Sequence, residues 1–134
     1  MMIFRVLLTF VFGCLLCRAQ DVVPIPNVIK LSEYPKIAAA AKDSGEVVLG
    51  YRIDEHGNVV NTTFKSGVKR LFKFAQFSLS KWKYPVANHP NIIGRDFEII
   101  FVYQLVNEHG DVGFECVFPQ KVVIRGRPIV IKGN

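Results

Sequence analysis

The stretch GEVVLGYRIDEHGNVVNTTF, Gly45 to Phe64, constrains the fold more than any other part of the chain. Apolar side chains fall on every second residue at Val47, Leu49, Tyr51 and Ile53. The alternation resumes at Val60, Thr62 and Phe64 after the turn-rich Asp54-Glu55-His56-Gly57-Asn58. Period-two alternation on both sides of such a turn is a β-hairpin with one buried face. The remaining chain has to supply what completes the sheet.

The strongest further strand is RDFEIIFVYQLVN. Phe97, Ile99, Phe101, Tyr103 and Leu105 share one face, and Glu98, Ile100, Val102 and Gln104 share the other. Between hairpin and strand lies VKRLFKFAQFSLSKWKYP, where Leu71, Ala75, Leu79 and Trp82 fall at i, i+4, i+8 and i+11. That spacing predicts an amphipathic helix ended by Pro85, with Lys69, Lys73, Lys81 and Lys83 mostly off the apolar stripe. Phe72, Phe74 and Phe77 widen the apolar surface as packing residues. Upstream, YPKIAAAAKDSG predicts a first helix: Pro35 suits a first turn, the alanines favour helix, and Gly45 stops it. After Val106 come a Gly turn and short β-like runs. Phe114, Cys116 and Phe118 alternate on one face, and Val122–Ile124 and Ile129–Ile131 are β-branched. The expected fold is therefore α+β. A small three-stranded antiparallel sheet, the hairpin plus the long third strand, packs against two helices and carries an added C-terminal β tail.

The chain has 134 residues, enough for one domain. Its first residues, MMIFRVLLTFVFGCLLCRAQ, place Arg5 before an uncharged apolar run from Val6 to Cys17. That run is short for a bilayer-spanning helix, which wants about 20 apolar residues, and fits a secretory signal. Cys17 and Ala19 supply the small residues of a cleavage site before Gln20. The expected organisation is a signal peptide at 1–19, an extended linker at 20–30, a domain at 31–106 and a β-rich extension at 107–134. Alternatives are an inner-membrane anchor formed by residues 3–17 and lipidation at Cys14, for which Phe12 is bulky. Removal of 1–19 leaves fifteen Lys/Arg against eleven Asp/Glu, a mildly basic +4. The lysines are scattered, which reads as a solvated surface and gives no nucleic-acid partner. Cys116 is then the lone cysteine, so no internal disulfide forms.

The residue types that carry chemistry do not converge. His56, His89 and His109 lie in separate turn-like segments without metal-ligand spacing. Asp54 and Glu55 sit in a hairpin turn, where Asp caps its own loop. No phosphate-binding Gly loop, nucleophile elbow or Cys-His pair occurs. No catalytic residue, metal or cofactor is expected, and the chain does not read as an enzyme. Trp82 is a core anchor, and Cys116 reads as a small buried hydrophobe rather than a reactive thiol. Asn61 begins an Asn-Thr-Thr sequon but lies within a strand, and a bacterial source is expected.

The ordered motifs Tyr34-Pro35 with Ala38, then Gly45, Val47, Tyr51, Ile53, Asp54, Gly57 and Val59, then Trp82 and Tyr84 before Pro85, resemble the C-terminal domain of TonB over about residues 31 to 106. The Gln that the family carries shortly before Tyr-Pro is absent from KLSEYP. The resemblance implies a non-enzymatic periplasmic module that binds a segment of an outer-membrane TonB-dependent transporter, or another envelope protein, by adding it as a strand. It maps the docking edge onto Phe97, Glu98, Ile99, Ile100, Phe101, Val102, Tyr103, Gln104, Leu105 and Val106. The physics is β-augmentation, in which main-chain groups supply affinity and alternate side chains supply preference. It leaves Tyr34, Pro35, Ala38, Gly45, Asp54, Gly57, Trp82 and Tyr84 as structural motif residues. Two alternatives accompany this reading: a self-associating envelope module that dimerises through edge strands, and a membrane-anchored, truncated TonB-like transducer. An open apolar strand invites pairing. Either a partner strand covers it or the chain's own tail does: the turn at Asn107–Asp111 is short enough to fold Gly113–Phe118 back antiparallel beside Phe97–Val106, and in that case truncation after Val106 exposes the edge.

Overall fold

The computed structural model describes residues 22–117 and 120–129. The expected signal peptide, anchor or lipidation site at 1–19, the side chain of Phe118 and the end of the tail lie outside the described residues. The elements run α1 (Lys36–Ala40), β1 (Gly45–Ile53), β2 (Val59–Gly67), α2 (Phe72–Leu79), β3 (Phe97–Leu105), β4 (Gly113–Val117) and β5 (Lys121–Gly126). The strands form one mixed sheet in the order β2-β1-β3-β5-β4.

This corrects the expected fold in three respects. The sheet has five strands rather than three. It is mixed: β1 pairs antiparallel with β2 and β3, β5 pairs parallel with β3, and β4 pairs antiparallel with β5. Among the described residues only α2, at eight residues, exceeds two turns of helix. α1 stops after five residues, before Gly45. Lys42 takes a left-handed φ of 57°, its N–H donates to the Ala39 carbonyl at 3.2 Å, and Asp43 N–H donates to Ala38 at 2.8 Å. That pair of bonds is a Schellman stop, made here by lysine rather than glycine. A 3-10 turn at Lys69–Leu71 precedes α2, which stops at Leu79 and does not run on to Pro85 as expected.

Of the two ways of covering the third strand, the tail does so, but not by an antiparallel return of the segment that begins at Gly113. β5 takes that place, in parallel, with Phe101 opposite Val122, Val102 opposite Val123 and Tyr103 opposite Ile124. An interior strand is buried on both faces and wants a continuous apolar run. Val122-Val123-Ile124 is such a run, and all three are buried. Gly-Phe-Glu-Cys-Val has a carboxylate in its middle and remains outermost.

The core lies between the helices and one face of the sheet. Leu71, Ala75, Leu79 and Trp82 are buried there against Val47, Leu49, Phe101 and Tyr103, as the helical stripe anticipates. Phe72 and Phe74 pack at its margin, whereas Phe77 is exposed. Gln76 Nε2 donates to Thr62 Oγ1 at 2.6 Å and ties α2 to β2.

Candidate partner-binding edge

Three of the motif groups meet in space and act as joints of the fold. At the hairpin turn Asp54 Oδ1 accepts N–H bonds from His56 at 2.9 Å and Asn58 at 2.8 Å. These bonds hold its carboxyl below the usual carboxylate range, the Asn58 backbone contact first. Gly57, at φ 81°, accepts the Tyr84 N–H at 2.9 Å, so two distant motifs are one contact. Tyr84 Oη donates to Tyr51 Oη at 3.0 Å, and their rings stack with centroids 6.0 Å apart. Trp82 Nε1 donates to the Lys30 carbonyl at 3.0 Å, and Lys83 bonds Val28 through its N–H at 3.0 Å. The segment before α1 is therefore docked. Tyr34 donates its hydroxyl to the Asp43 carbonyl, meets Tyr103 edge-on at 5.6 Å and stands over Gly126 of β5. Pro35 caps α1, whose Ala38 is buried. Gly45 opens β1 beside Val68.

The residues expected to form the docking edge occupy an interior position. β3 is paired with β1 from Phe97 to Tyr103 and with β5 from Ile100 to Leu105. Val106 N–H continues the second ladder by donating to the Gly126 carbonyl at 2.8 Å. Phe97, Ile99, Phe101 and Tyr103 face the core. Val102, on the opposite face, is also buried, because Val123 stands beside it.

The sheet ends instead on β2 and β4. β2 is interrupted by two register shifts against β1 and by Asn61 at φ 52°, and it carries Lys65. Bulges and charges blunt an edge against further pairing. β4 runs in unbroken register from Gly113 to Val117 against Arg125 to Lys121. Its residues Phe114 to Val117 are all exposed. Glu115 is held by Arg125 at 2.5 Å on one face of the sheet. On the helix side Phe114 and Val112 border a depression of about 380 Å³ shared with Tyr34, Ala39 and Ile129. An extended backbone bound along β4 would place alternate side chains over this depression.

Cys116 is exposed, not the buried small hydrophobe expected. Edge position is the reason: only β5 flanks it. Partial desolvation still pushes its thiol up, so it is protonated at neutral pH and weakly nucleophilic. His56, His89 and His109 are exposed in separate turns. Among the described residues no helix is long and apolar enough to cross a membrane. The β4 edge was missed in the sequence because its place depends on which of two tail strands takes the inner position. The two-faced apolarity of Val122–Ile124 was the available signal.

Two comparisons with known proteins bear on the chain. The family model described as the Gram-negative bacterial TonB protein C-terminal matches residues 30–105, more than half of the chain. The match runs from the residue that receives Trp82 Nε1 to the end of β3 and leaves β4 and β5 beyond it. A DNA polymerase sliding clamp of Methanococcus vannielii is 34% identical over 87 residues, covering 60% of this chain and 34% of that protein. The chain thus spans about a third of the length of that curated relative.

Proposed function

Because the chain belongs to the family of Gram-negative bacterial TonB C-terminal domains, a family of non-enzymatic periplasmic protein-interaction modules, we propose that it takes up an extended segment of an outer-membrane transporter or another envelope protein. The segment adds as a sixth strand at β4. One observation carries this reading: β3 is paired on both sides, while β4 offers a regular, exposed edge beside a depression with an apolar lining and charged residues, Glu33, Lys36 and Arg127 among them, on its border. Main-chain bonding along Gly113–Val117 gives affinity, and the depression selects every second side chain. The likeness to part of a sliding clamp does not enter, since so little of that protein is spanned. Residues 1–19 are read as an export signal removed after Ala19; intact Met1 in purified protein would replace that reading with an anchor.

Cys116 is a native reporter for the test. A chain with Cys14→Ser and Cys17→Ser keeps it as the sole thiol. Cysteines are scanned along a transporter-derived peptide, and disulfide capture is measured. Strand addition at β4 gives capture with a period of two residues. Capture only by a Gln104→Cys probe on β3 would mean that the tail leaves and β3 is the site. A concentration-dependent dimer linked through Cys116, with no peptide capture, would make a second copy the occupant of the edge.

A further inference from the structure

We propose that the helical side of the domain docks on an anionic lipid bilayer, with Ile37 and Phe77 entering the interfacial layer and surrounding lysines meeting headgroup phosphates. This does not rest on strand addition at β4. Ile37 is 77% exposed and Phe77 55%, among the described residues the two most exposed large apolar ones outside the Val23–Ile29 segment and the β4 edge. They border one depression between α1 and α2, with Pro35 and Phe74 at its floor and sides. Large apolar side chains that protrude in this way have no use in the fold itself, where the helical stripe already fills the core.

The charge around them is predominantly basic. From His56 to Arg95 the chain holds seven Lys/Arg and no Asp or Glu. Lys69, Lys73, Phe77 and Lys81 follow one another at intervals of four, so they share a flank of α2 and its adjoining turns. All four are exposed, and Lys81 Nζ lies 4.0 Å from the Phe77 ring centroid. Lys36 borders the depression from α1. Two carboxylates are near: Glu33 also borders it, and Asp43 is held by Arg70 at 2.7 Å and is largely covered. Apolar side chains at the centre of a basic flank combine the two forces that hold a peripheral surface on anionic lipid. A bilayer fits better than an acidic peptide for two reasons. The cations are lysines, flexible point charges without the planar fork that reads carboxylates in fixed geometry. Ile37 and Phe77 are more than half exposed at the rim of the depression rather than buried inside it, which suits insertion into an interfacial lipid layer.

The test uses the full chain carrying Phe77→Trp, mixed with phosphatidylcholine vesicles that contain or lack phosphatidylglycerol and bear brominated acyl chains. Trp82 is buried, so the unsubstituted chain is the control. Expected is quenching and a blue shift of the introduced indole with phosphatidylglycerol present, reversed by salt, and none in the control. Lys73→Gln and Lys81→Gln should each weaken partitioning about fivefold. Ile37→Trp is an independent second probe. The readout is local, so an N-terminal segment that itself held the chain on vesicles would not produce it. An introduced indole left unquenched on vesicles at both positions overturns the proposal. So does equal quenching on neutral vesicles. A response to polyglutamate without a response to vesicles assigns the surface to an acidic protein instead.

Discussion

At the scale of single residues, glycines and tyrosines carry the sharpest consequences. A Cβ on Gly57 would lie 2.2 Å from the Tyr84 carbonyl oxygen, and φ is 81°. Gly94 has a similar φ of 72° but nothing within 4 Å of a Cβ. Gly94→Ala should therefore cost only the backbone strain, about 1–2 kcal/mol. Gly57→Ala should cost clearly more, since backbone must move. Thermal melts of both variants decide it; equal losses would show that the hairpin turn yields. The four tyrosines, Tyr34, Tyr51, Tyr84 and Tyr103, are all buried, and burial raises each phenol above its ordinary value of 10. For Tyr34 burial, with the Asp43 charge second, pushes it up to about 12. A phenol that holds its proton more tightly when folded stabilises the fold below pH 10, and this is lost as pH rises through 10 toward the folded values. Tyrosinate absorbance should thus appear above pH 10 only together with loss of circular dichroism. Tyrosinate at pH 10 in a folded chain would mean wet hydroxyls. Asp54 has the opposite sign: its lowered carboxyl supports the turn above pH 3.8 and ceases to do so in stronger acid.

At the scale of elements, α2 with its flanking turns and the strand pair β1–β3 hold the layers together. Trp82 is 2% exposed, packs on Phe101 with centroids 6.0 Å apart and donates to Lys30. Trp82→Ala should cost about 3–5 kcal/mol, the range for deleting a buried large aromatic. Trp82→Phe should recover most of the packing but not the bond that docks residues 27–30. Urea titrations compare the two, and an unchanged midpoint for Trp82→Ala would remove Trp82 from the core. These elements were legible because their signals are local. Alternation gave the hairpin and the long strand, and the spacing of Leu71, Ala75, Leu79 and Trp82 gave the buried face of α2 and its flanking turns, although not the early end of the helix at Leu79. What was not legible depends on competition between distant segments. Ile100 and Val102 make the second face of β3 apolar, which suits an interior strand, yet an apolar open edge gives the same pattern. Only the placement of Val123 opposite Val102 separates the two. The end of α1 was missed because lysine, not glycine, adopts the left-handed conformation at its stop.

At the scale of the whole molecule, the tail decides whether β3 can ever be an edge. The family match ends at residue 105, which makes residues 107–134 look removable. The packing says otherwise. β5 buries Val122, Val123 and Ile124, and Gly126 lies so close under Tyr34 that an added Cβ would stand 2.4 Å from its ring. Burying a Val or Ile side chain contributes about 1.5–3 kcal/mol. Three of them contribute about 5–9 kcal/mol, comparable with the 5–15 kcal/mol that holds a domain of this size. Truncation after Val106 should therefore unfold or aggregate the protein instead of exposing a competent β3 edge. It also uncovers Phe101 and Tyr103 at the same time. Gly126→Leu, which wedges β5 from Tyr34 without deleting it, should lower stability in the same direction. Truncation after Val106 that leaves a soluble, cooperatively melting monomer with transporter-peptide affinity above that of the full chain would overturn this. It would make β4–β5 a removable cap and return the binding edge to Phe97–Val106.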